Sequence, residues 1–111
     1  MKTNDNRYTE QDWKLFKSRI AGWQEAYMDK LNKGYIELLS EEGLASDKFW
    51  ELEKKIREDK KKPGVCVEMR RFALIINILN LLHDGAITMD DLEGFSDGLR
   101  DFVDWWAEHN F

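Results

Sequence analysis

A single apolar stripe runs through the first third of the chain and limits the folds open to it. From Trp13 to Leu38, bulky apolar residues recur every three or four positions, which places them on one face of an α-helix. The stripe consists of Trp13, Phe16, Ile20, Trp23, Tyr27, Leu31, Tyr35 and Leu38. The pattern predicts a long amphipathic helix that packs this face against other elements.

Residues typical of a helix start precede the stripe. Thr9 is a favourable N-cap, and Asp12 lies three residues later, where an acidic side chain suits the first turn. We therefore predict a helix over residues 10–42. An earlier break at Gly22, Gly34 or Ser40 is the alternative, because glycine and serine are poorer helix formers than alanine.

Three more helices are predicted after the first. The second starts after Ser46 and ends before Pro63, at a run of three lysines that suits a helix C-terminus. The third covers roughly residues 65–83 and is apolar on almost every side from Phe72 onward, so it should be the most buried element. The fourth starts after Thr88. Its predicted core face comprises Leu92, Phe95, Leu99, Phe102, Val103 and Trp106.

Composition places these helices in one domain. The 111 residues are 42% hydrophobic and 35% charged, which is too apolar for a disordered chain and sufficient for one core. We therefore predict a single all-α domain over residues 1–111, a four-helix arrangement with a long N-terminal helix. The third helix should be central, with the first and the fourth beside it.

Two further features bear on the compartment. The N-terminus lacks an apolar stretch of signal-peptide length, and the longest nearly uncharged run, residues 72–82, is about half of what a bilayer requires. Cys66 is the only cysteine, which excludes an intrachain disulfide and fits a reducing compartment. We therefore expect a cytoplasmic protein without membrane contact.

Two segments carry a family resemblance. SDKFWELEKKIREDKKKPGV and DGAITMDDLEGFSDGL resemble parts of a family of small uncharacterised bacterial proteins, and the resemblance covers most of the chain. It implies a bacterial cytoplasmic protein and transfers no site residue. Members of that family have sometimes carried a transporter label, and the lack of any spanning segment in this sequence argues against that role.

One stretch can be aligned with a calcium-binding EF-hand loop. Residues 80–91 place Gly85 at the sixth loop position and Asp91 at the twelfth. Leu82 stands where the loop needs an oxygen ligand, and an aspartate at the twelfth position is too short for the usual bidentate contact. We favour an ordinary helix–turn–helix corner and expect no metal site.

The sequence offers little for catalysis. A nucleophilic pair of Cys66 with His83 would need two residues about a helix length apart to meet, and His109 lies close to the end of the sequence. The simpler interpretation is that Cys66 is a small buried residue and that His83 belongs to a helix end. No glycine-rich phosphate loop occurs, so we expect a non-enzymatic protein without a cofactor.

Charge is distributed unevenly, although the whole chain carries −5 at pH 7. Residues 48–71 contain nine Lys or Arg and five Asp or Glu, a net +4. Residues 84–111 contain one Lys or Arg and eight Asp or Glu, a net −7. The candidate phosphate contacts in the basic segment are Lys54, Lys55, Lys60, Lys61 and Lys62. Because acidic residues interleave with them and the net charge is negative, we expect nucleic-acid binding to be weak and salt-sensitive at most.

The acidic segment has a helical periodicity of its own. Asp97, Asp101, Asp104 and Glu108 are spaced i, i+4, i+7 and i+11 and share one helical face. The ordinary interpretation is the solvated side of an amphipathic helix. The alternatives are a mimic of nucleic-acid phosphates, a surface for a basic partner, and a stripe that neutralises the basic second helix.

These observations favour a non-enzymatic protein-interaction or regulatory module. One alternative is a nucleic-acid-binding module that uses residues 54–71. Another is an acidic inhibitor that imitates nucleic acid.

The length of the first helix predicts a homodimer. A continuous helix over residues 10–42 would be roughly 50 Å long, well beyond the later helices, and would leave part of its stripe exposed. A second copy of the same helix would cover that stripe. The candidate interface residues are Trp13, Phe16, Trp23, Tyr27, Leu31 and Tyr35. A break at Gly22 or Gly34 would instead fold the helix back onto its own core.

Overall fold

The structure, a computed structural model, describes residues 7–111. These residues form four α-helices: α1 (Glu10–Ser40), α2 (Ala45–Asp59), α3 (Leu74–His83) and α4 (Asp97–Asn110). Two short 3-10 turns, Arg71–Ala73 and Met89–Leu92, precede α3 and α4 respectively. The described part of the chain contains no strand, so the predicted all-α, four-helix arrangement is confirmed.

Helix α1 runs unbroken through Gly22 and Gly34. At its start, Thr9 Oγ1 accepts a hydrogen bond from the Asp12 N–H at 3.1 Å, and Asp12 Oδ2 accepts one from the Thr9 N–H at 2.9 Å. This reciprocal pair is a capping box, which satisfies two backbone donors at once. The 31 residues of α1 span roughly 46 Å, most of the 57 Å length of the molecule.

The core lies around α3, between the N-terminal half of α1 and α4. Its buried residues from these helices are Trp13, Phe16, Ile20, Leu74, Ile75, Ile78, Leu79, Leu81, Leu99 and Val103. Six of the ten α3 residues are buried, which confirms the prediction of a central third helix. The predicted core face of the fourth segment is also found, with Phe102 and Trp106 partly buried at its margin.

The third helix begins later than predicted. Residues 65–70 are not helical, and the side-chain amide of Asn77 donates a hydrogen bond to the Glu68 carbonyl oxygen at 2.8 Å, which holds this segment against α3. Extended backbone covers about 3.3 Å per residue against 1.5 Å in a helix. A non-helical segment therefore lets a few residues connect the end of α2 to the core.

The fourth helix also begins later than predicted. Thr88 and Asp91 do form a capping box, but it caps the 3-10 turn Met89–Leu92 rather than α4. Gly94 follows with a φ of +93°, a conformation that interrupts a helix and that glycine adopts without strain. Helix α4 then starts after its own N-cap, Ser96.

Helices α1 and α2 form an antiparallel hairpin. Gly43, at φ +142°, lies in the turn between them, and Leu44 is the N-cap of α2 without a side-chain hydrogen bond. The prediction that Ser46 caps this helix is wrong, because the turn at Gly43 lets α2 start two residues earlier. Helix α2 packs along the C-terminal half of α1 and partly covers Leu31, Tyr35 and Leu38.

The side chain of Asp12 joins the starts of α1 and α4. It is 2% exposed and, besides its bond from Thr9, accepts hydrogen bonds from the Ser96 N–H at 2.7 Å and the Ser96 hydroxyl at 2.6 Å. Because Ser96 is the N-cap of α4, one carboxylate stabilises the N-termini of two helices. Both termini carry partial positive charge, which favours an anion there.

Replacing Asp12 should therefore destabilise the protein far more than the loss of an ordinary cap. For Asp12→Ala we expect a loss of about 2–4 kcal/mol in the free energy of unfolding, because three partly buried donors lose a charged acceptor together. Urea unfolding followed by circular dichroism measures it.

The matched control for this prediction is Asp29→Ala, which removes an exposed aspartate of the same helix that forms a surface ion pair with Lys33. Its cost should stay within about 0.5 kcal/mol. Equal effects of the two substitutions would contradict the role assigned to Asp12.

Candidate interaction surface

The hairpin carries large apolar side chains that the core does not cover. None of the 15 residues of α2 is buried, although the helix contains two adjacent aromatic residues. Phe49 is 61% exposed and Trp50 is 64% exposed. Their rings meet edge to face at a centroid distance of 5.0 Å, so they form one exposed aromatic pair.

Four exposed apolar residues share one flank of the hairpin. Asn32 of α1 and Ile56 of α2 line the same groove between the helices. On α1, Ile36 and Leu39 lie four and seven residues after Asn32, and on α2, Phe49 lies seven residues before Ile56. Residues at these spacings lie on the same side of a helix, so Ile36 and Leu39 share the side of Asn32 and Phe49 shares the side of Ile56. We call Ile36, Leu39, Phe49 and Ile56 the apolar flank; all four are exposed.

A shallow groove crosses α2 beside this flank. Its volume is about 340 Å³, and it is lined by Phe49, Leu52, Glu53, Ile56, Arg57 and Lys60. Arg57 is held by hydrogen bonds and an ion pair to Glu53, which raises the pKa of the guanidinium. The groove therefore combines an apolar floor with a charged margin, an arrangement suited to a protein partner.

A polar contact holds the two helices of the hairpin together. The Tyr35 hydroxyl on α1 donates a hydrogen bond to Asp59 Oδ2 at 2.6 Å. Asp59 Oδ1 also pairs with the Lys62 ammonium at 3.2 Å. The end of α2 is thereby fixed to the middle of the C-terminal half of α1.

The pKa values of these groups follow from their contacts. Burial, together with the hydrogen bond to Asp59, raises the pKa of Tyr35 to about 12. Burial alone would raise the pKa of Asp59, but the bonds from Tyr35 and Lys62 outweigh it and lower that pKa. The hydrogen bond to Asp59 in turn raises the pKa of Lys62.

These shifts define the pH range in which the contact stabilises the hairpin. The lowered pKa of Asp59 means that its contribution is present above the unfolded-state value and is lost as pH falls through the folded-state value. The raised pKa of Tyr35 means that its contribution is present below about 10 and is lost as pH rises towards about 12. The contact is therefore intact around neutral pH.

The predicted dimer interface on α1 is only partly available. Trp13, Phe16 and Tyr27 are buried within the chain's own fold, so the prediction that they form an exposed stripe is wrong. The other three candidates, Trp23, Leu31 and Tyr35, are partly buried. The cause is that α3 and α4 cover the stripe along the first half of α1. Gly64, in the segment after α2, lies against Tyr27, and α2 partly covers Leu31 and Tyr35.

Sequence reasoning missed two apolar residues of α1 that are exposed. Ile36 and Leu39 lie outside the stripe on which the prediction was built. Their exposure could have been predicted from their positions in the sequence. Ile36 directly follows the stripe residue Tyr35, and Leu39 directly follows Leu38, so neither lies on the face of α1 that carries the stripe.

The candidate phosphate contacts are exposed but do not form one face. Lys54, Lys55, Lys60 and Lys61 are exposed, whereas Lys62 is occupied by Asp59. Consecutive helical residues point about 100° apart, so Lys54 and Lys55 diverge. The five candidate lysines therefore do not share one surface that could face phosphates.

The acidic stripe of α4 is exposed to solvent. Asp97, Asp101, Asp104 and Glu108 all lie on the outer side of the helix, and Trp105 among them is 53% exposed. Within residues 7–111, no ion pair joins α4 to α2. The stripe therefore does not neutralise the basic helix of the same chain by direct pairing.

The two residues considered for a nucleophilic pair have different surroundings. Cys66 is exposed, so the expectation that it is buried is wrong, because it lies in the non-helical segment rather than in a core helix. His83, at the end of α3, contacts the Phe111 ring at a centroid distance of 4.8 Å.

The residues compared with a calcium loop have structural partners. Asp91 Oδ2 accepts hydrogen bonds from the Thr88 N–H at 2.8 Å and from the Thr88 hydroxyl at 3.3 Å. Gly85 has a φ of +74°, typical of a residue that ends a helix. Among the described residues, no group of three His, Cys, Asp or Glu side chains is placed to hold a metal ion.

No family model, curated protein or solved structure matches the chain. The family resemblance of the two sequence segments therefore stays a prediction. Across residues 7–111, no helix is both long enough and apolar enough to cross a membrane.

The Tyr35–Asp59 contact predicts a late step in the alkaline titration. We expect the absorbance at 295 nm to show a tyrosine that ionises near pH 12. Tyr35→Phe should remove this step, and Asp59→Asn should move it to lower pH, because a neutral neighbour no longer opposes the phenolate. Tyr8→Phe is the control and should retain it. A wild-type titration that is complete by about pH 11 would show that the contact does not form.

Proposed function

We propose that this chain is a non-enzymatic protein-interaction module that binds a protein partner through the hairpin. The observation that carries the proposal is the exposure of Phe49 and Trp50 on a helix without a single buried residue. Large contiguous apolar patches on small proteins usually mark binding surfaces. Aromatic residues are also enriched at the energetic centres of interfaces.

The hairpin suits this role because its own fold does not need the exposed aromatic pair. Tyr35 and Asp59 hold α2 to α1, and Leu52 is partly buried. Phe49 and Trp50 contribute little burial to folding, so the free energy of removing them from water remains available for binding, about 25 cal/mol per Å² of apolar surface.

Homodimerisation belongs to this proposal, since a second copy is one protein that could cover the hairpin. We also propose a bacterial cytoplasmic setting, which the resemblance of the two quoted segments implies. The proposal concerns binding and assigns no reaction to any residue.

Site-specific crosslinking tests the interaction surface directly. We expect a benzophenone amino acid at position 49, in cells that express the chain, to give a covalent protein adduct. The same group at position 25, which is exposed on α1 away from the hairpin's apolar flank, should give none. Trp50→Ser should reduce the adduct at position 49.

The control for this experiment is stability. Because Phe49 and Trp50 are exposed, replacing both with serine should change the free energy of unfolding by no more than about 0.5 kcal/mol. An adduct of any defined mass at position 49 supports the proposal. Equal labelling at positions 25 and 49 would contradict it.

Nucleic-acid binding through residues 54–71 is the competing function. We expect dissociation constants weaker than about 1 μM for random duplex and single-stranded probes, with binding lost near 0.2 M salt, because any contacts are to phosphates and the chain is acidic overall. Fluorescence anisotropy measures this. Sub-micromolar binding that persists at that salt concentration would make the nucleic-acid module the better-supported function.

A further inference from the structure

We propose that the partner of the hairpin is a second copy of this chain, and that α4 of each copy lies along α2 of the other. The contact is made twice, about a two-fold axis. This inference rests on the proposed interaction function and specifies its partner and geometry, which differ from a dimer made through the stripe of α1.

The charges on the outer faces of α2 and α4 are complementary and share one spacing. On α2, Trp50 is followed at i+4, i+7 and i+11 by Lys54, Arg57 and Lys61. On α4, Asp97 is followed at the same intervals by Asp101, Asp104 and Glu108. Lys61 lies in the turn that continues α2, where its N–H donates to the Glu58 carbonyl oxygen. Each set forms one stripe along its helix.

Within residues 7–111, most of these charges have no ion-pair partner. Arg57 pairs with Glu53, and Arg100 pairs with Asp97. In the described part of the chain, the remaining charged residues of the two stripes take part in no ion pair: Lys54, Lys61, Asp101, Asp104 and Glu108. A basic stripe and an acidic stripe on one molecule therefore remain open to pairing between molecules.

Each stripe also contains or adjoins an exposed tryptophan. Trp50 begins the basic stripe and contacts Phe49, and Trp105 lies between Asp104 and Glu108 with 53% of its surface exposed. Contact of α2 with α4 would remove these aromatic rings from water and leave the charges at the margin. This is the usual anatomy of a protein interface, in which apolar anchors occupy the centre and polar groups the rim.

The dimensions of the two helices allow one to lie along the other. Helix α2 has 15 residues and α4 has 14, so they are about 22 and 21 Å long. Helix α2 packs along the C-terminal half of α1, whereas α4 shares the core with its N-terminal half. When two copies lie side by side with their α1 helices antiparallel, α2 of each copy is therefore next to α4 of the other. Both contacts close within the pair, so assembly stops at a dimer.

Charge exchange between the stripes tests this geometry. The first variant carries Lys54→Glu, Arg57→Glu and Lys61→Glu, and the second carries Asp97→Lys, Asp101→Lys and Asp104→Lys. Sedimentation equilibrium at about 50 μM in low salt should show a dimer for the wild type. Each variant alone should be a monomer, because like charges face each other. An equimolar mixture should restore the dimer, since both contacts then join opposite charges.

The control variant reverses three exposed lysines of α1, Lys14→Glu, Lys30→Glu and Lys33→Glu, and should remain a dimer. Circular dichroism establishes that each variant is folded, and the restored dimer in the mixture independently shows that both chains are competent. A dimer of either stripe variant alone, a monomeric mixture, or a species heavier than a dimer in the wild type would overturn the proposed geometry.

The same experiments separate this inference from the function on which it rests. If the wild type is monomeric at about 50 μM while position 49 still gives an adduct with a different protein, the second copy is excluded and the interaction function stands. If position 49 labels no more than position 25 and the wild type is monomeric, both proposals fail.

Discussion

The buried carboxylate of Asp12 is the contact on which the rest of the architecture depends. It accepts hydrogen bonds from Thr9 at the start of α1 and from Ser96 at the start of α4, two positions far apart in the sequence. Because a helix N-terminus leaves backbone donors unsatisfied, one anion can serve both termini. With these starts joined, Phe16 of α1 and Leu99 of α4 belong to one core in which both are fully buried.

The continuity of α1 then divides the molecule into two unlike halves. Its first half shares a core with α3 and α4, and its second half lies beside α2 and, at Tyr27, against Gly64 of the segment that follows α2. Two helices bury one seam between them and leave their other sides exposed, which accounts for Ile36, Phe49 and Ile56 on the surface. The exposure of the apolar flank is therefore a consequence of helix length, because the core elements do not extend along the whole of α1.

The sequence alone predicted the helices that are determined by interactions between residues close together in the chain. The stripe of α1, its Thr9–Asp12 start and the apolar third helix follow from periodicity and capping chemistry. The late start of α3 depends on a tertiary hydrogen bond from Asn77 to Glu68, which no local pattern predicts. The candidate interface failed for a similar reason, because spacing identifies a face that is buried but not whether the same chain or another chain buries it. Residues of α3 and α4 share a core with Trp13 and Phe16, and Gly64, in the segment after α2, lies against the Tyr27 ring.

The charges around the aromatic pair bear on which partners the hairpin can accept. An exposed Phe49 and Trp50 alone would bind apolar surfaces without discrimination, because the hydrophobic effect is not directional. Lys54 and Arg57, one and two turns after Trp50, oppose any partner that carries positive charge in register, since like charges brought together cost free energy. An acidic amphipathic helix with an aromatic residue meets both conditions, and α4, with Asp101, Asp104 and Trp105 on one outer side, is such a helix. The chain thus contains both a surface selective for acidic helices and a helix of that kind, and the absence of ion pairs between α2 and α4 within residues 7–111 leaves the two free to meet between copies.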